Sequence, residues 1–299
     1  MPQKQKGILL MILSAFLLSV MSVAIRCINE IPVMEQMFFR NLFNALVAWV
    51  ILRKTGGSFF GPRRYQLLLF LRSVFGFFAV SASFYASGHA NQGDVAILLK
   101  TSPFWVTILA MVFLKEKLLP VQIPALILAF AGAVLVARPG FNSNVLPLLM
   151  AFLSAVATGV AYTLLSYFKG KVDTMTITMY FSTFCMLAAF PLMLFNGFIL
   201  PDLRQWLFLL LISASGSFGL ILVTYAYQMA PAAEISIYDY SGILFSILLG
   251  WAALGEQIPA TSLLGGALVT GGSVMVYLYT NRRSRESAAQ HNAPSEKAE

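Results

Sequence analysis

Long hydrophobic runs, separated by short polar connections, recur along almost the whole chain. Ten of them are about 20 residues long, and they lie at 7–26, 33–53, 66–88, 93–114, 119–138, 146–167, 173–196, 204–228, 233–254 and 260–280. Because an α-helix rises ~1.5 Å per residue, each run is long enough to cross a hydrocarbon layer ~30 Å thick. The pattern predicts an all-α integral membrane protein with ten transmembrane helices. The connections are too short to hold a soluble domain.

The composition agrees with a membrane protein: 59% of the residues are hydrophobic and 11% are charged, whereas a soluble domain carries about a quarter charged residues. The net charge of +8 does not require a nucleic-acid partner, because the basic residues cluster in alternate connections. This positive-inside pattern predicts that both termini are cytoplasmic. We expect the first run to be an uncleaved membrane helix. The clustered residues are Lys4, Lys6, Arg53, Lys54, Arg63, Arg64, Lys115, Lys117, Lys169, Lys171, Arg282, Arg283 and Arg285.

The chain matches itself at an offset of 140 residues, which indicates an internal repeat. Residues other than leucine that match in this register include Gly76 with Gly216, Tyr85 with Tyr225, Glu116 with Glu256, and Gly132 with Gly272. We therefore predict a first five-helix repeat at 1–140, a second at 141–280, and a disordered cytoplasmic tail at 281–299. Five spans is an odd number, so the second repeat must enter the membrane from the opposite side.

Two inverted repeats are typical of secondary transporters, in which the substrate site lies near the membrane midplane between the halves. A duplicated channel or membrane enzyme is the alternative. The glycine- and serine-rich stretches at 81–88, 213–219 and 265–272 are predicted to be helix-packing faces. Spans five and ten contain few strongly polar residues, so we expect them to act as scaffold or as the contact between subunits of a homodimer.

Four segments carry a resemblance to a known family: FFRNLFNALVAWVILR, FYASGHANQGDVAILLKTSPFWVTILAMVFLKEKL, AGAVLVARPG and TYAYQMAPAAEISIYDYSGILFSILLGWAALGEQ. Over residues 7–280 the chain resembles the drug/metabolite transporter superfamily, specifically its ten-span EamA-type members. The resemblance implies transport of small metabolites, often amino acids, across the inner membrane by alternating access without ATP. The second half departs from the pattern, because it has Ile243 at the position of Pro103. The resemblance therefore does not imply equal bends in the two helices.

Lys100 interrupts the fourth run about 9 Å from its outer end. A lysine in the middle of a membrane helix costs ~2.5–3.5 kcal/mol on insertion scales, so it needs an aqueous cavity or a partner. One alternative is that Lys100 lines a cavity and meets a substrate carboxylate; a salt bridge with Asp239 and snorkelling are the others. Pro103 removes a backbone hydrogen bond and crowds the carbonyl of Leu99, and we expect its bend to help gate the cavity.

Tyr240 is the counterpart of Lys100 at the repeat offset, and it is predicted to face the same cavity. Asp239 adjoins it. A buried carboxylate suits proton coupling, and a fixed pairing with Lys100 or Arg72 is the alternative. Both roles stay open from the sequence.

Two arginines also lie inside hydrophobic runs, and a guanidinium group there must be paired or hydrated. For Arg40, a pairing within the first half, with Glu35 as a candidate partner, is favoured over ion coupling or substrate contact. Arg72 lies near the predicted cytoplasmic end of its run, so we expect it to extend to the membrane surface. Four aromatic residues are further candidates for the cavity lining: Phe104, Tyr85, Tyr162 and Tyr225.

The sequence does not favour an enzyme or a cofactor. Its two histidines, His89 and His291, lie in a predicted loop and in the tail, so neither a histidine-based metal site nor a Ser–His–Asp triad is expected in the membrane. We predict a secondary transporter of small organic metabolites, first of all amino acids, in the bacterial inner membrane. Its expected partners are the solute and the lipid bilayer. A flippase for lipids or lipid-linked precursors and a passive channel are the alternatives.

Overall fold

The computed structural model describes residues 3–28, 30–89, 98–137, 145–195, 197–255 and 260–292. These residues form eleven α-helices and two short 3-10 helices and contain no β-strand, so the predicted all-α fold is confirmed for them. The 3-10 helices are Arg63–Tyr65, before α3, and Ser236–Tyr240, between α9 and α10. The α-helices are α1 (Gln3–Arg26), α2 (Val33–Thr55), α3 (Gln66–His89), α4 (Ser102–Phe113), α5 (Gln122–Ala137), α6 (Val145–Tyr167), α7 (Thr174–Phe195), α8 (Leu203–Met229), α9 (Ala232–Ile235), α10 (Ser241–Leu254) and α11 (Ala260–Asn292).

Six helical segments of the described residues are long and apolar enough to cross a membrane. Three shorter apolar helices accompany them, at Ser102–Phe113, Gln122–Leu135 and Leu264–Tyr279. These segments support a multi-pass membrane protein. The six long segments are Gln3–Ile25, Arg63–Ser83, Val145–Tyr167, Thr174–Phe195, Leu203–Met229 and Ala232–Ala253.

The helix pairings come in sets that are related by exchange of the two halves. Helix α1 packs on α8 and on α10, while α6 packs on the equivalent helices α3 and α4. Helix α2 packs on its own counterpart α7, and α5 packs on its own counterpart α11. The interface between the halves therefore has two parts: two pairs of equivalent helices, and two matching sets of contacts that α1 and α6 make with the opposite half.

Glycines allow α5 and α11 to approach very closely, and they do so in the same way on both sides. A Cβ atom on Gly132 would lie 2.5 Å from the carbonyl oxygen of Gly265, and a Cβ atom on Gly272 would lie 2.7 Å from the carbonyl oxygen of Ala125. Each atom of the first contact is 140 residues from its equivalent in the second. The predicted packing face at 265–272 is thus confirmed, and the helix that it contacts is α5.

Contacts between helix ends place the start of α1 and the end of α6 at the same end of the bundle, which we call the amino-terminal face. There Lys169, after α6, donates a 3.3 Å hydrogen bond to the carbonyl of Met229, and Lys4 forms an ion pair with Glu234. The opposite face holds the start of α2, where the Glu35 carboxylate accepts a 3.2 Å hydrogen bond from the Ile199 amide. At both faces, therefore, contacts join segments that are distant in the sequence.

The last helix continues further than the sequence predicts. Helix α11 extends to Asn292, so the residues from 281 to 292 are helical where a disordered tail is expected. The stretch SRESAAQ within it is rich in arginine, glutamate, alanine and glutamine, which favour helix once a helix has begun. The remaining tail, 293–299, lies outside the described residues.

Candidate functional site: a cavity with two arginines

A cavity of about 120 Å³ lies between the two halves. Six of its lining residues form three pairs, and each pair has one residue from each half: Leu18 and Thr158, Gly76 and Gly216, Val80 and Leu220. Each pair is separated by 140 residues in the chain, so positions that match at this offset meet at the cavity. The other lining residues are Arg40, Arg72, Ala79, Ala161, Tyr162 and Phe181.

The two glycines in this lining allow large side chains to approach the cavity. A Cβ atom on Gly76 would lie 2.7 Å from Cε2 of Phe181, and a Cβ atom on Gly216 would lie 2.9 Å from Cδ of Arg40. Distances below 3.0 Å are too short for carbon atoms that do not share a bond. Glycine at these equivalent positions therefore makes space for the phenyl ring on one side and the arginine stem on the other.

Arg72 is buried in the wall of this cavity. Its side chain is 2% exposed, and the guanidinium lies 3.8 Å from the ring centre of Phe181 in a cation–π contact. Within the described residues, its Nε and Nη1 atoms have no hydrogen-bond partner. The expectation that Arg72 extends to the membrane surface is therefore wrong. Its helix turns the side chain inward, towards the contact with α7 that Phe181 provides.

Arg40 reaches the same cavity from the other side, on α2. Its stem packs on Gly216, and its carbonyl oxygen accepts a 3.3 Å hydrogen bond from the Ser217 hydroxyl. The structure describes no ion pair between Arg40 and Glu35, because the Glu35 carboxylate binds the Ile199 amide instead. The expected pairing with Glu35 is wrong. Both arginines belong to the first half. The second half has no arginine at the matching positions, which are Tyr180 and Ile212.

Lys100 and Asp239 form an ion pair, with 3.7 Å between Nζ and Oδ2, and neither residue is among those that line the cavity. The salt bridge is one of the alternatives that the sequence left open. The Tyr240 hydroxyl donates a 2.7 Å hydrogen bond to the backbone carbonyl of Lys100. Tyr240 and Lys100 are equivalent residues of the two repeats, and they touch each other. The ion pair and this hydrogen bond hold the two halves together at the same level.

Both helices are interrupted at this level, although only one has a proline nearby. In the first half, Lys100 and Thr101 form a turn, and Pro103 is the second residue of α4. In the second half, the 3-10 helix ends at the equivalent position. The same side-chain contact supports both interruptions: the Thr101 hydroxyl donates to the Leu98 carbonyl at 2.6 Å, and the Ser241 hydroxyl donates to the Tyr238 carbonyl at 2.7 Å. Hydroxyl groups that bind nearby carbonyls compete with regular helix, so Ile243 does not prevent the break.

The structure separates the four aromatic candidates. Tyr162 lines the cavity, and its ring lies 5.1 Å from that of Tyr227. Phe104 packs edge-to-face on Phe130, with 5.5 Å between ring centres. Tyr85 is exposed and stacks on the ring of His89, one helical turn further along. Tyr225 packs in a small cluster around Leu52. Phe104, Tyr85 and Tyr225 are thus outside the cavity lining, and a transport role for any of the four stays a prediction.

At the amino-terminal face, a charged group caps α9. The Glu116 carboxylate, from the connection after α4, accepts hydrogen bonds from the amides of Ala232 and Ala233, each at 3.0 Å. A carboxylate at a helix start satisfies free amide groups and interacts favourably with the helix dipole. This contact joins the first half to the second. Its equivalent, Glu256, lies outside the described residues.

Cys27 and Cys185 are not bonded to each other, and the described residues contain no group of three or more metal-binding side chains. The place of Arg72 in the cavity lining was not predicted from the sequence. The matching glycines Gly76 and Gly216 were a usable signal, because Gly76 lies one turn along the same helix from Arg72.

An all-α bundle whose equivalent helices enclose a charged cavity has the architecture expected of a membrane transporter. The chain belongs to the EamA-like transporter family, which it matches twice, over residues 5–138 and 145–278. The starts of these two matches and their ends are each separated by 140 residues, as in the repeat. The chain is therefore a multi-pass membrane protein of a family that transports small molecules.

Individual relatives align with most of this chain. The pseudopaline exporter CntI of Pseudomonas aeruginosa is 29% identical over 268 residues, covering 89% of this chain and 93% of that protein. Solute carrier family 35 member G1 of Mus musculus is 29% identical over 294 residues, covering 91% of this chain and 79% of that protein. A solved crystal structure superposes with a TM-score of 0.80 over 93% of this chain and 98% of its own, at 17% identity. That likeness supports the fold.

Proposed function

We propose that this protein is a secondary transporter that carries small organic metabolites, amino acids or related compounds, across the bacterial inner membrane by alternating access. The cavity lined by equivalent residues of both halves is the observation that carries the proposal. A site on the axis between two repeats opens to either side when one half rocks against the other. The two arginines give that site groups that bind carboxylates.

The same proposal includes the membrane topology. We propose ten spans in two inverted five-helix repeats, at 1–140 and 141–280, with both termini in the cytoplasm. The exchange-related helix pairings, the doubled family match and the placement of the ends of α1 and α6 at one face support it. The clustering of basic residues then assigns the amino-terminal face to the cytoplasm.

The alternating-access mechanism assigns a role to the contacts between the halves. The Glu116 cap and the ion pair of Lys4 with Glu234 close the amino-terminal face. We propose that the Lys100–Asp239 pair, together with the turn before Pro103, forms a second gate beside the cavity. Opening to each side then requires a different set of these contacts to break.

Counterflow in reconstituted vesicles tests the transport proposal. Vesicles loaded with an unlabelled amino acid should accumulate the labelled compound transiently and saturably. A flux that rises linearly with concentration would instead indicate a passive channel. A flippase would instead move a fluorescent lipid between leaflets. An apolar groove of about 390 Å³ lies between α1, α10 and α11, and it shares no lining residue with the cavity that contains Arg40 and Arg72.

A further inference from the structure

The arginine cavity contains two cationic groups and no acidic side chain. Among its lining residues, Arg40 and Arg72 are the charged ones. Neither the ion pair of Lys4 with Glu234 nor that of Lys100 with Asp239 involves Arg40 or Arg72, and no ion pair of these two arginines is found within the described part of the chain. Neither arginine therefore has a carboxylate partner there.

Two uncompensated guanidinium groups in one small cavity inside a membrane protein are energetically unfavourable. Arg72 is the stronger case, because Nε and Nη1 are buried without a hydrogen-bond partner and the phenyl face of Phe181 compensates only part of the charge. Buried polar groups in proteins are otherwise nearly always hydrogen-bonded. The cavity of about 120 Å³ is large enough for water, since one water needs only ~10–15 Å³, so a solute can replace that water.

We propose that this cavity binds a net-anionic metabolite with two acid groups, received by Arg40 and Arg72. This inference rests on the proposed function, because it takes the cavity to hold the transported solute. A guanidinium group binds a carboxylate through two parallel hydrogen bonds. A neutral amino acid would bring one carboxylate and one ammonium, so its binding would leave both excess positive charges in place. An acid with two carboxylates neutralises them.

The geometry allows one solute to reach both arginines. Both guanidinium groups belong to the lining of the same cavity, together with Tyr162. They also enter from helices of opposite direction: Arg40 lies about 10 Å from the start of α2 and Arg72 about 9 Å from the start of α3, at ~1.5 Å per residue. The two guanidinium groups therefore approach the cavity from opposite sides of the membrane. Tyr162 and Thr158 add hydroxyl groups to the same lining.

Matched ligands separate charge from shape. We would measure the thermal unfolding of the purified full-length protein, and its binding, with succinate, butyrate and succinamide, which carry two, one and no carboxylates on the same four-carbon chain. Succinate should stabilise the protein and bind at least about tenfold more tightly than butyrate, given the strength of charge-assisted hydrogen bonds. Succinamide should have no measurable effect. Equal binding of succinate and succinamide would overturn the inference.

Two variants and a control identify the site. Arg72→Met and Arg40→Met should each weaken succinate binding by about tenfold to a hundredfold, while Arg53→Met, at an exposed arginine on α2, should bind normally. Since Arg72 has no carboxylate partner among the described residues and the Phe181 ring compensates only part of its charge, Arg72→Met should not lower the melting temperature of the ligand-free protein. A strongly destabilised ligand-free variant would indicate a structural role and contradict the inference.

Transport assays distinguish this inference from the proposed function. Saturable counterflow of succinate or aspartate, but not of asparagine, is the expected result. Counterflow of asparagine or leucine without any of succinate or aspartate would leave the transporter proposal standing and overturn the two-acid site. Absence of saturable flux for every one of these solutes would reject both.

Discussion

Removal of the Glu116 carboxylate should open the amino-terminal face. In Glu116→Ala, the amides of Ala232 and Ala233 lose the acceptor that lies 3.0 Å from each of them. The contact joins the two halves, so its loss raises the free energy of the state in which this face is closed. Water can hydrate the same amides once the face has opened.

The size of the effect follows from the two hydrogen bonds. Each contributes ~1 kcal/mol net at a half-buried site, so Glu116→Ala should shift the equilibrium by ~2 kcal/mol, or about 30-fold. A protein that is ~1% open at this face would then become about one quarter open. Glu116→Gln keeps one acceptor and should give a smaller shift.

Spin labels at Lys117 and Lys171 would measure this opening. Both residues are exposed at the amino-terminal face, one in each half, and pulsed electron resonance between them should show a new population at longer distance in Glu116→Ala. Asp202→Ala is the control, because Asp202 also caps a helix, by accepting a 2.7 Å hydrogen bond from the Gln205 amide, but within one half. An unchanged distance distribution in Glu116→Ala would refute a gating role for this cap.

Three further substitutions test the packing between the halves and the ion pair. Gly132→Ala should destabilise the protein by ~1–3 kcal/mol, because its Cβ would lie 2.5 Å from the Gly265 carbonyl oxygen, which is a backbone atom. Gly271→Ala, with 3.7 Å to its nearest neighbour, should melt at the wild-type temperature or above. Equal melting of the two variants would contradict this packing. Lys100→Ala should abolish counterflow while folded protein remains in the membrane, and full activity would remove Lys100 from the mechanism.

The sequence predicts much of this fold because the membrane imposes strict patterns. Hydrophobic length, the 140-residue offset and the glycine-rich faces correspond to features of the structure, such as the close approach at Gly132 and Gly272. Hydroxyl groups at Thr101 and Ser241 explain why the helix break does not depend on Pro103. Their matching positions were available in the sequence, but their contacts with carbonyl groups were not.

The charged groups were harder to predict, because depth along a helix does not define the direction of a side chain. Lys100 was favoured as a cavity residue, and the structure pairs it with Asp239. Arg72 was assigned to the membrane surface from its distance to the helix end, yet its side chain turns towards Phe181 and the cavity. The choice between these arrangements depends on which helices pack together, and neither composition nor spacing contains that information.

Thiol labelling at Thr158, in the wall of the arginine cavity, tests most directly whether this cavity is a solute site that opens in turn to both sides. The background would replace both native cysteines, Cys27 and Cys185, and Thr158→Cys would be treated with an impermeant thiol reagent from each side of the membrane. We predict reaction from both sides, with a transported solute slowing both. Reaction from one side only, or rates that no transported solute changes, would contradict alternating access through this cavity.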